Sequence, residues 1–472
     1  MTANGRPRST PNDRELRLWK VGRALTVAFA VAVLAAGSVF YGLVYLLDFQ
    51  EIDNTKKLDA ATLFDLVKLS FGVVAGAGAL VALVVAYRRQ RVDEAGAHRE
   101  ATRLHTERFS QAVDKLGSDS PAVRLGGVHA LAGLADDAPD DSLRQTCIDV
   151  LCAYLQLPFT PDPGDDPTHQ EEHHQYLAFR KVRHTILRLI GDHYRRPRGT
   201  HRSWQGCDLD LTGVTIDSNL DLRGATFSGG TVSFGGATFS DGMVSFNEAT
   251  FSGGEVSFHR AVFSGGMVSF DDATFSGSVV LFGPATFSGS VVSFARVAFS
   301  GGTVSFSGAT FADHGVSFHA AAFSGSDVSF MHATFSGSHV FFEHAAFASG
   351  EVSFHEASFR DGEMSFEHAT FSGGEVSFYR AAFFGGTVSF RDTTFRGGLV
   401  PFNEATFSGG EVSFRAAAFS DSEVIFHGVT FSGSTVAFRD TTGPVPIGLL
   451  TAFSTSPPGS VILPPAWLPV NP

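Results

Sequence analysis

ATFSGGEVSFHR, residues 249–260, recurs with small changes every twelve positions through nearly half of a 472-residue chain. Phe stands at 227 and every twelfth position to 431, and again at 234 and every twelfth position to 438, 36 places without an exception. Two residues before each Phe is a second apolar residue. It is Ala in most copies of the first set (Ala225, Ala237, Ala249) and Val in all but one of the second (Val232, Val244, Val256), Met364 being the exception. Apolar side chains at i−2 and i, with small or polar residues between and after them, do not share a helical face. They are alternate side chains of an extended segment that ends in a turn. Ser-Gly-Gly and Gly-Ser supply the turn chemistry, because a positive φ costs little only for Gly.

A fixed period of this size predicts a stacked coil in which each copy buries its apolar face against the next. Stability then belongs to the array, and an isolated repeat is expected to be disordered. A coil can hold two repeats, making a 24-residue circuit, or only one. The larger coil is favoured, since a twelve-residue loop leaves little room for two Phe rings. Nine such coils span roughly 43 Å at about 4.8 Å per coil.

The five-residue units A-T-F-S-G and V-S-F-H-R resemble those of pentapeptide-repeat proteins, whose A-[D/N]-L-x-x units wind a right-handed quadrilateral β-helix of four units per coil. The stretch CDLDLTGVTIDSNLDLRGATF, with Leu211, Ile216, Leu222 and Phe227 spaced 5, 6 and 5, is nearer the plain family pattern. Two departures stand out. Phe replaces Leu at the central position, and alternate units carry two extra residues.

Upstream the composition changes. Residues 24–47 and 69–87 are uncharged runs long enough to cross a hydrocarbon core of roughly 30 Å. They predict a two-span transmembrane hairpin over 24–87 behind a basic tail at 1–23, with a cleaved signal peptide at LAAGS (34–38) as the alternative for the first run. Arg6, Arg8, Arg14, Arg17, Lys20 and Arg23 on one flank and Arg88, Arg89 and Arg91 on the other place both termini and everything after residue 87 in the cytoplasm of a multi-pass cell-membrane protein. Gly72 and Gly76 form a GxxxG in the second run. Residues 88–198 carry a helical period: Phe109, Ala112, Val113 and Leu116 to a stop at Gly117; Val123, Val128, Leu131 and Leu134 after Ser120-Pro121; Leu143, Ile148, Leu151 and Leu155; then Tyr176, Phe179, Val182, Ile186 and Leu189. This predicts a small α-helical, HEAT-like region. The segment ERFSQAVDKLGSDSPAVRLGGVHALAGLA, together with the two runs, resembles membrane-attached pentapeptide-repeat proteins of actinobacterial type. The expected architecture is therefore multi-domain: two transmembrane α-helices, the helical region, a repeat β-helix over 204–440, and a Pro-rich tail or cap over 441–472.

Function, on this reading, resides in what varies outside the coil. The pair after the second Phe varies most, from Asn247-Glu248 and His259-Arg260 to Glu343-His344 and Arg391-Asp392. Residues 204–440 hold 24 acids against nine arginines and no lysine, a net charge near −15. An acidic, regular surface points to a non-catalytic scaffold for an unidentified protein partner, with a homo-oligomer also open. DNA mimicry toward a topoisomerase is the first alternative, with no direct nucleic-acid binding expected. Metal or pH sensing through Glu343, His344, Glu367 and His368, which stack at i, i+24, is the second. Outward Thr ladders (Thr226, Thr238, Thr250) suggest lattice binding, but they break at Val262 and Ala298.

Catalysis has no support in the motifs: GxSxG, P-loop, HExxH and Cys/His pairings are missing, and the many serines have no base held nearby. No catalytic, cofactor or metal residue is assigned. EEHHQ at 171–175 has metal-site residue types but not the i, i+4 spacing. Cys147, Cys152 and Cys207 fit ordinary packing in a reducing compartment. In the tail, VPIGLLTAF is expected to cap the last coil and the remainder to be loose.

Overall fold

A computed structural model describes parts of 26–41 and residues 60–160, 162–164, 166–455 and 458–467. The chain divides into two units between Arg103 and Leu104.

The expectation of two membrane spans is not met, because among the described residues no helix is long and apolar enough to cross a membrane. Residues 69–87 do not form an element of their own. They lie inside helix α1 (Ala60–Leu116), which runs on through Arg88, Arg89 and Arg91 and over its full length is nearly balanced between apolar and polar residues. Gly72, Gly76, Gly78 and their Ala neighbours add little transfer free energy to that run, and apart from the helix's own nearby backbone no described atom lies within 4 Å of where a Cβ on Gly72 or Gly76 would stand. Residues 24–47 fall largely outside the described residues. The multi-pass cell-membrane assignment, the cytoplasmic placement of the termini and repeats, and the membrane-attached resemblance rested on those spans and are withdrawn with them.

Three further helices follow: α2 (Pro121–Asp136), α3 (Asp141–Gln156) and α4 (Gln170–Tyr194). Ser120 and Pro121 open α2 as the sequence suggests, and Asp140 caps α3 by accepting from the Leu143 N–H at 2.9 Å. Val128, Leu131, Ile148, Leu151, Val182 and Ile186 are buried together. The buried face of α4 is broader than its predicted stripe and takes in Arg183, Leu187, Ile190 and Tyr194. These carry the helical core onto the first coil. Tyr194 meets the Phe227 ring at 5.2 Å, Trp204 stacks on His193 at 4.0 Å, and the Trp204 Nε1–H donates to Asp136 at 3.1 Å.

From Leu209 the chain is a β-solenoid of two-repeat coils. Each strand pairs in parallel with its equivalent in the next coil, as in Phe251↔Phe275, Phe287↔Phe311 and Val292↔Val316. The strands form three sheets of 11, 10 and 11 members. The two repeats in a coil do different things. One makes a single eight-residue strand such as Thr250–Ser257; the next splits into two short strands such as Val262–Phe263 and Met267–Ser269. The repeat therefore folds in pairs.

The 36 Phe rings of the two sets stand in four columns of nine. Within a column neighbours are near-parallel, Phe258 and Phe282 at 4.8 Å and 2° for instance. A centroid spacing near the strand repeat exceeds the thickness of a ring, so the stack is offset, the arrangement the ring quadrupole favours. Two columns meet edge-to-face across the axis, as Phe270 and Phe282 do at 5.6 Å and 86°. Ala and Val positions fill the rest of a core that is almost wholly inaccessible.

The Ser-Gly-Gly corners have no room for larger residues. A Cβ on Gly254, whose φ is +75°, would stand 2.3 Å from the Gly230 carbonyl oxygen of the preceding coil. At several corners that read Ser-Gly-Ser the last serine is buried and joins two coils, whereas the Ser434 hydroxyl is buried without a partner among the described residues. Ser326 Oγ accepts from the Gly301 N–H and donates to the Gly301 carbonyl, both at 2.9 Å.

At the C-terminal end α5 (Leu449–Thr455) buries Leu449 and Ala452, and Phe453 packs on Phe431 at 5.2 Å. The cap extends further than the sequence suggests. Ser460–Ile462 adds a strand to the third sheet, and Trp467 covers Phe438 at 5.3 Å while its indole N–H donates to the Gly443 carbonyl. An open last coil would leave Phe rings and strand edges in water.

Candidate functional site

The variable pairs sit at two tight turns per coil. In each, the Ala N–H donates to the carbonyl of the Phe three residues earlier, as Ala249 does to Phe246 at 3.0 Å. The residue before that Ala takes a positive φ in most of these turns, 58° at Glu248, 57° at Arg260, 58° at His344 and 54° at Ala320; Pro284, after a cis peptide bond, is an exception. A closed four-residue turn with a positive φ at its third position is type II. Non-glycine residues hold this position in most coils, and its N–H is commonly bonded onward, Glu248 to the Asp271 carbonyl at 2.9 Å and His344 to that of Glu367 at 3.0 Å. The variable side chains thus line up in straight columns, one position per coil.

At several places in these turns groups of opposite charge meet. Arg296 pairs with Asp272 at 2.7 Å, and Arg380 lies between Glu404 at 2.7 Å and Glu356 at 3.6 Å. His332 approaches Glu356 at 3.2 Å, and Arg391 approaches Asp392 at 3.3 Å. Asp271 accepts from Ser293 Oγ and from the Ala295 N–H. Much of the acidity counted in the sequence is therefore spent within the solenoid. Exposed pairs of this kind add little stability individually, but they leave the turns nearly neutral.

A second column is different. On the long strands the residue immediately before the Val that precedes the second Phe points outward from the first sheet. The register places Glu255 beside Val279, then Thr303, Asp327, Glu351, Glu375, Leu399 and Glu423 in successive coils. Asp327, Glu351 and Glu375 are consecutive, about 4.8 Å apart along the axis. Among the described residues none of the three has an ion-pair partner. Burial, and then the Glu351 charge, push the Glu375 carboxyl above its ordinary value. The sequence contained this column in the G-E of GGEVSF, but only the two-repeat register reveals that three acids are neighbours.

The other singled-out residues are placed as follows. His344 and His368 stack at 5.0 Å and 13°, while Glu343 accepts from Ser365 Oγ at 3.3 Å and Glu367 from Ser389 Oγ at 2.9 Å. Each carboxylate is thus turned toward a serine of the following coil. Among the described residues no group of three or more His, Cys, Asp or Glu is arranged to hold a metal ion. In EEHHQ, Glu171 and Glu172 occupy the first turn of α4, where the helix dipole favours acids, Gln175 donates to Glu171 at 3.1 Å, and His173 pairs with Asp162 at 2.6 Å. Thr226 and Thr250 lie on the first sheet and Thr238 on the second, so the three do not form one ladder. Cys147 and Cys152 are free and buried, and burial pushes their thiols to about 11 and about 12. Such thiols are poor nucleophiles.

Four inward pairs per coil, parallel register from each coil to the next and two type II turns define a quadrilateral β-solenoid of pentapeptide-like units. The family model for pentapeptide repeats (9 copies) matches residues 211–262, the first coils, where the spacing is nearest five. No curated protein and no solved structure matches the chain.

Proposed function

We propose that this protein is a non-catalytic scaffold whose solenoid binds a protein partner along the acidic column of its first sheet. The run Asp327, Glu351, Glu375 carries the reading: three stacked carboxylates without counter-charges among the described residues, beside turn columns in which several acids, such as Asp272 and Glu404, are paired. Like charges held in register repel and desolvate one another, which destabilises the free protein. A basic, extended segment laid along the column would relieve that repulsion, and the parallel strands repeat its binding positions coil by coil. The chemistry suits a partner rich in Arg or Lys, bound in a salt-sensitive manner.

DNA mimicry lacks a comparable observation, because the consecutive unpaired acids Asp327, Glu351 and Glu375 follow one straight column rather than two helical rows. The test is site-specific photo-crosslinking of the full chain in cells, with the crosslinker at Glu351 on the first sheet or at Thr406 on the second. Adducts to a basic protein from position 351 alone are expected, lost in Asp327→Asn/Glu375→Gln. Equal adducts from both faces, or none from 351, would refute the reading.

A further inference from the structure

Away from the solenoid surface, a cleft of about 490 Å³ opens between the start of α2, the end of α3 and α4. Its walls include Tyr154, Phe159, Tyr176 and Phe179, and two arginines, Arg124 and Arg183, also line it. Phe159 and Tyr176 stack at 5.2 Å, forming a flat apolar side.

Among the described residues neither arginine has an acidic ion-pair partner. Arg183 is only 7% exposed. It donates to the Leu155 carbonyl at 2.8 Å and the Thr215 carbonyl at 3.1 Å, with the Phe159 ring 4.7 Å from its guanidinium carbon. Arg124 donates to the Ser118 carbonyl and, at 3.1 Å, to Tyr154 Oη, and lies 4.6 Å from the Phe179 centroid. Each guanidinium thus uses two of its five N–H donors. No carboxylate of the described residues comes within ion-pair distance of either. A buried cation is ordinarily paired, since desolvation penalises the lone charge. Burial accordingly holds the Arg183 guanidinium below the ordinary arginine value, although it remains charged.

We propose that this cleft binds a small organic anion, an aromatic body carrying one carboxylate or phosphate, with the acid group on Arg124 and Arg183 and the ring against Phe159 and Tyr176. The volume is within the range of small-molecule sites, as is the combination of mostly apolar walls with a few convergent polar groups. Planar forks of N–H donors suit a carboxylate or phosphate oxygen pair. Glu172, also on the lining, is the one acid there among the described residues. It opposes the anion and provides a sign test. The site is independent of the solenoid surface, so either assignment can fail without the other.

The experiment is a fluorescence titration of the full chain with 8-anilinonaphthalene-1-sulfonate, followed by displacement with benzoate, phenyl phosphate, inorganic phosphate and benzyl alcohol. Saturable binding at one site is expected, with benzoate or phenyl phosphate displacing the probe at lower concentration than either inorganic phosphate or benzyl alcohol. Whichever of the two acids displaces better identifies the acid group. Arg124→Gln should weaken binding about ten-fold or more, the worth of a charge-assisted hydrogen bond, and Glu172→Gln should strengthen it about two- to five-fold, as expected for loss of a nearby like charge. Should Arg124→Gln fail to fold, as judged by circular dichroism, the exposed Glu172→Gln still decides. Unchanged or weaker binding in Glu172→Gln overturns the proposal. So does displacement by benzyl alcohol matching that by benzoate, or by inorganic phosphate matching that by phenyl phosphate.

Discussion

Replacing Phe330 by Ala tests the source of the solenoid's stability at its middle. Phe330 is fully buried; it stacks on Phe306 at 4.8 Å and Phe354 at 4.9 Å and meets Phe318 and Phe342 edge-on at 5.5 and 6.2 Å. Truncating a core Phe costs about 3–5 kcal/mol, and the upper end applies here because the walls are pinned. The Phe330 N–H bonds to the Ser353 carbonyl and the Phe306 N–H to that of Ser329, both at 2.7 Å, so the coils cannot close over the cavity. Phe330→Leu keeps most of the volume and loses the two stacked pairs, each worth about 0.5–1.5 kcal/mol, for a total of about 1–3 kcal/mol. The assay is urea unfolding followed by circular dichroism and by tryptophan fluorescence in a Trp19→Phe background. Trp204 and Trp467 then report from opposite ends. In a nearest-neighbour array the weakened coil uncouples the two ends. The two tryptophans should share one midpoint in the parent and separate in Phe330→Ala. A loss below about 1 kcal/mol, well under the ordinary core-Phe range, would refute the account of the columns.

Ala320 holds a turn φ of 54°, which costs an L-residue about 1–2 kcal/mol. Ala320→Gly removes that strain against a glycine entropy cost of about 0.5–1 kcal/mol, so a net gain of about 0.5 kcal/mol is expected in the same urea assay. Glu375 has a folded-state proton affinity above the ordinary one, from burial and Glu351; its ionisation therefore removes stability as pH rises through the folded value. Glu375→Gln should raise the melting temperature at pH 7–8, and the gain should vanish below about pH 4, where the unfolded carboxyl is also protonated. Asp221 shows the opposite sign. Arg223 chiefly, with Arg195, holds its carboxyl down to about 2, so its contribution is present above the ordinary carboxylate value and lost as pH falls through about 2. Asp221→Asn should lower the melting temperature at pH 5 but not at pH 2, and an unchanged difference between those two pH values would refute this assignment.

The amino-acid sequence by itself determined that Phe and its Ala or Val partner point inward, that Gly-rich corners turn the chain, and that copies stack. Each follows from period-two burial and from the backbone freedom of glycine, which are local properties. The helices after Gly117 were legible for the same reason, through capping and a 3.6-residue period. The membrane reading failed because, among the described residues, no helix is long and apolar enough to cross a membrane, residues 69–87 being part of the mixed helix Ala60–Leu116. Only the tertiary structure decided the coil size, and with it every neighbour on the outer surface. Twelve-residue periodicity is compatible with either register, and what selects two repeats per coil is the space four Phe columns need around one axis, a property of the packed array. The same register separates paired from unpaired acids: Arg296 meets Asp272 and Glu351 meets Glu375 because each lies one full coil from the other. Likewise Arg124 and Arg183 are far apart in sequence, on different helices, and only the packing of α2, α3 and α4 brings their unpaired charges to one cleft.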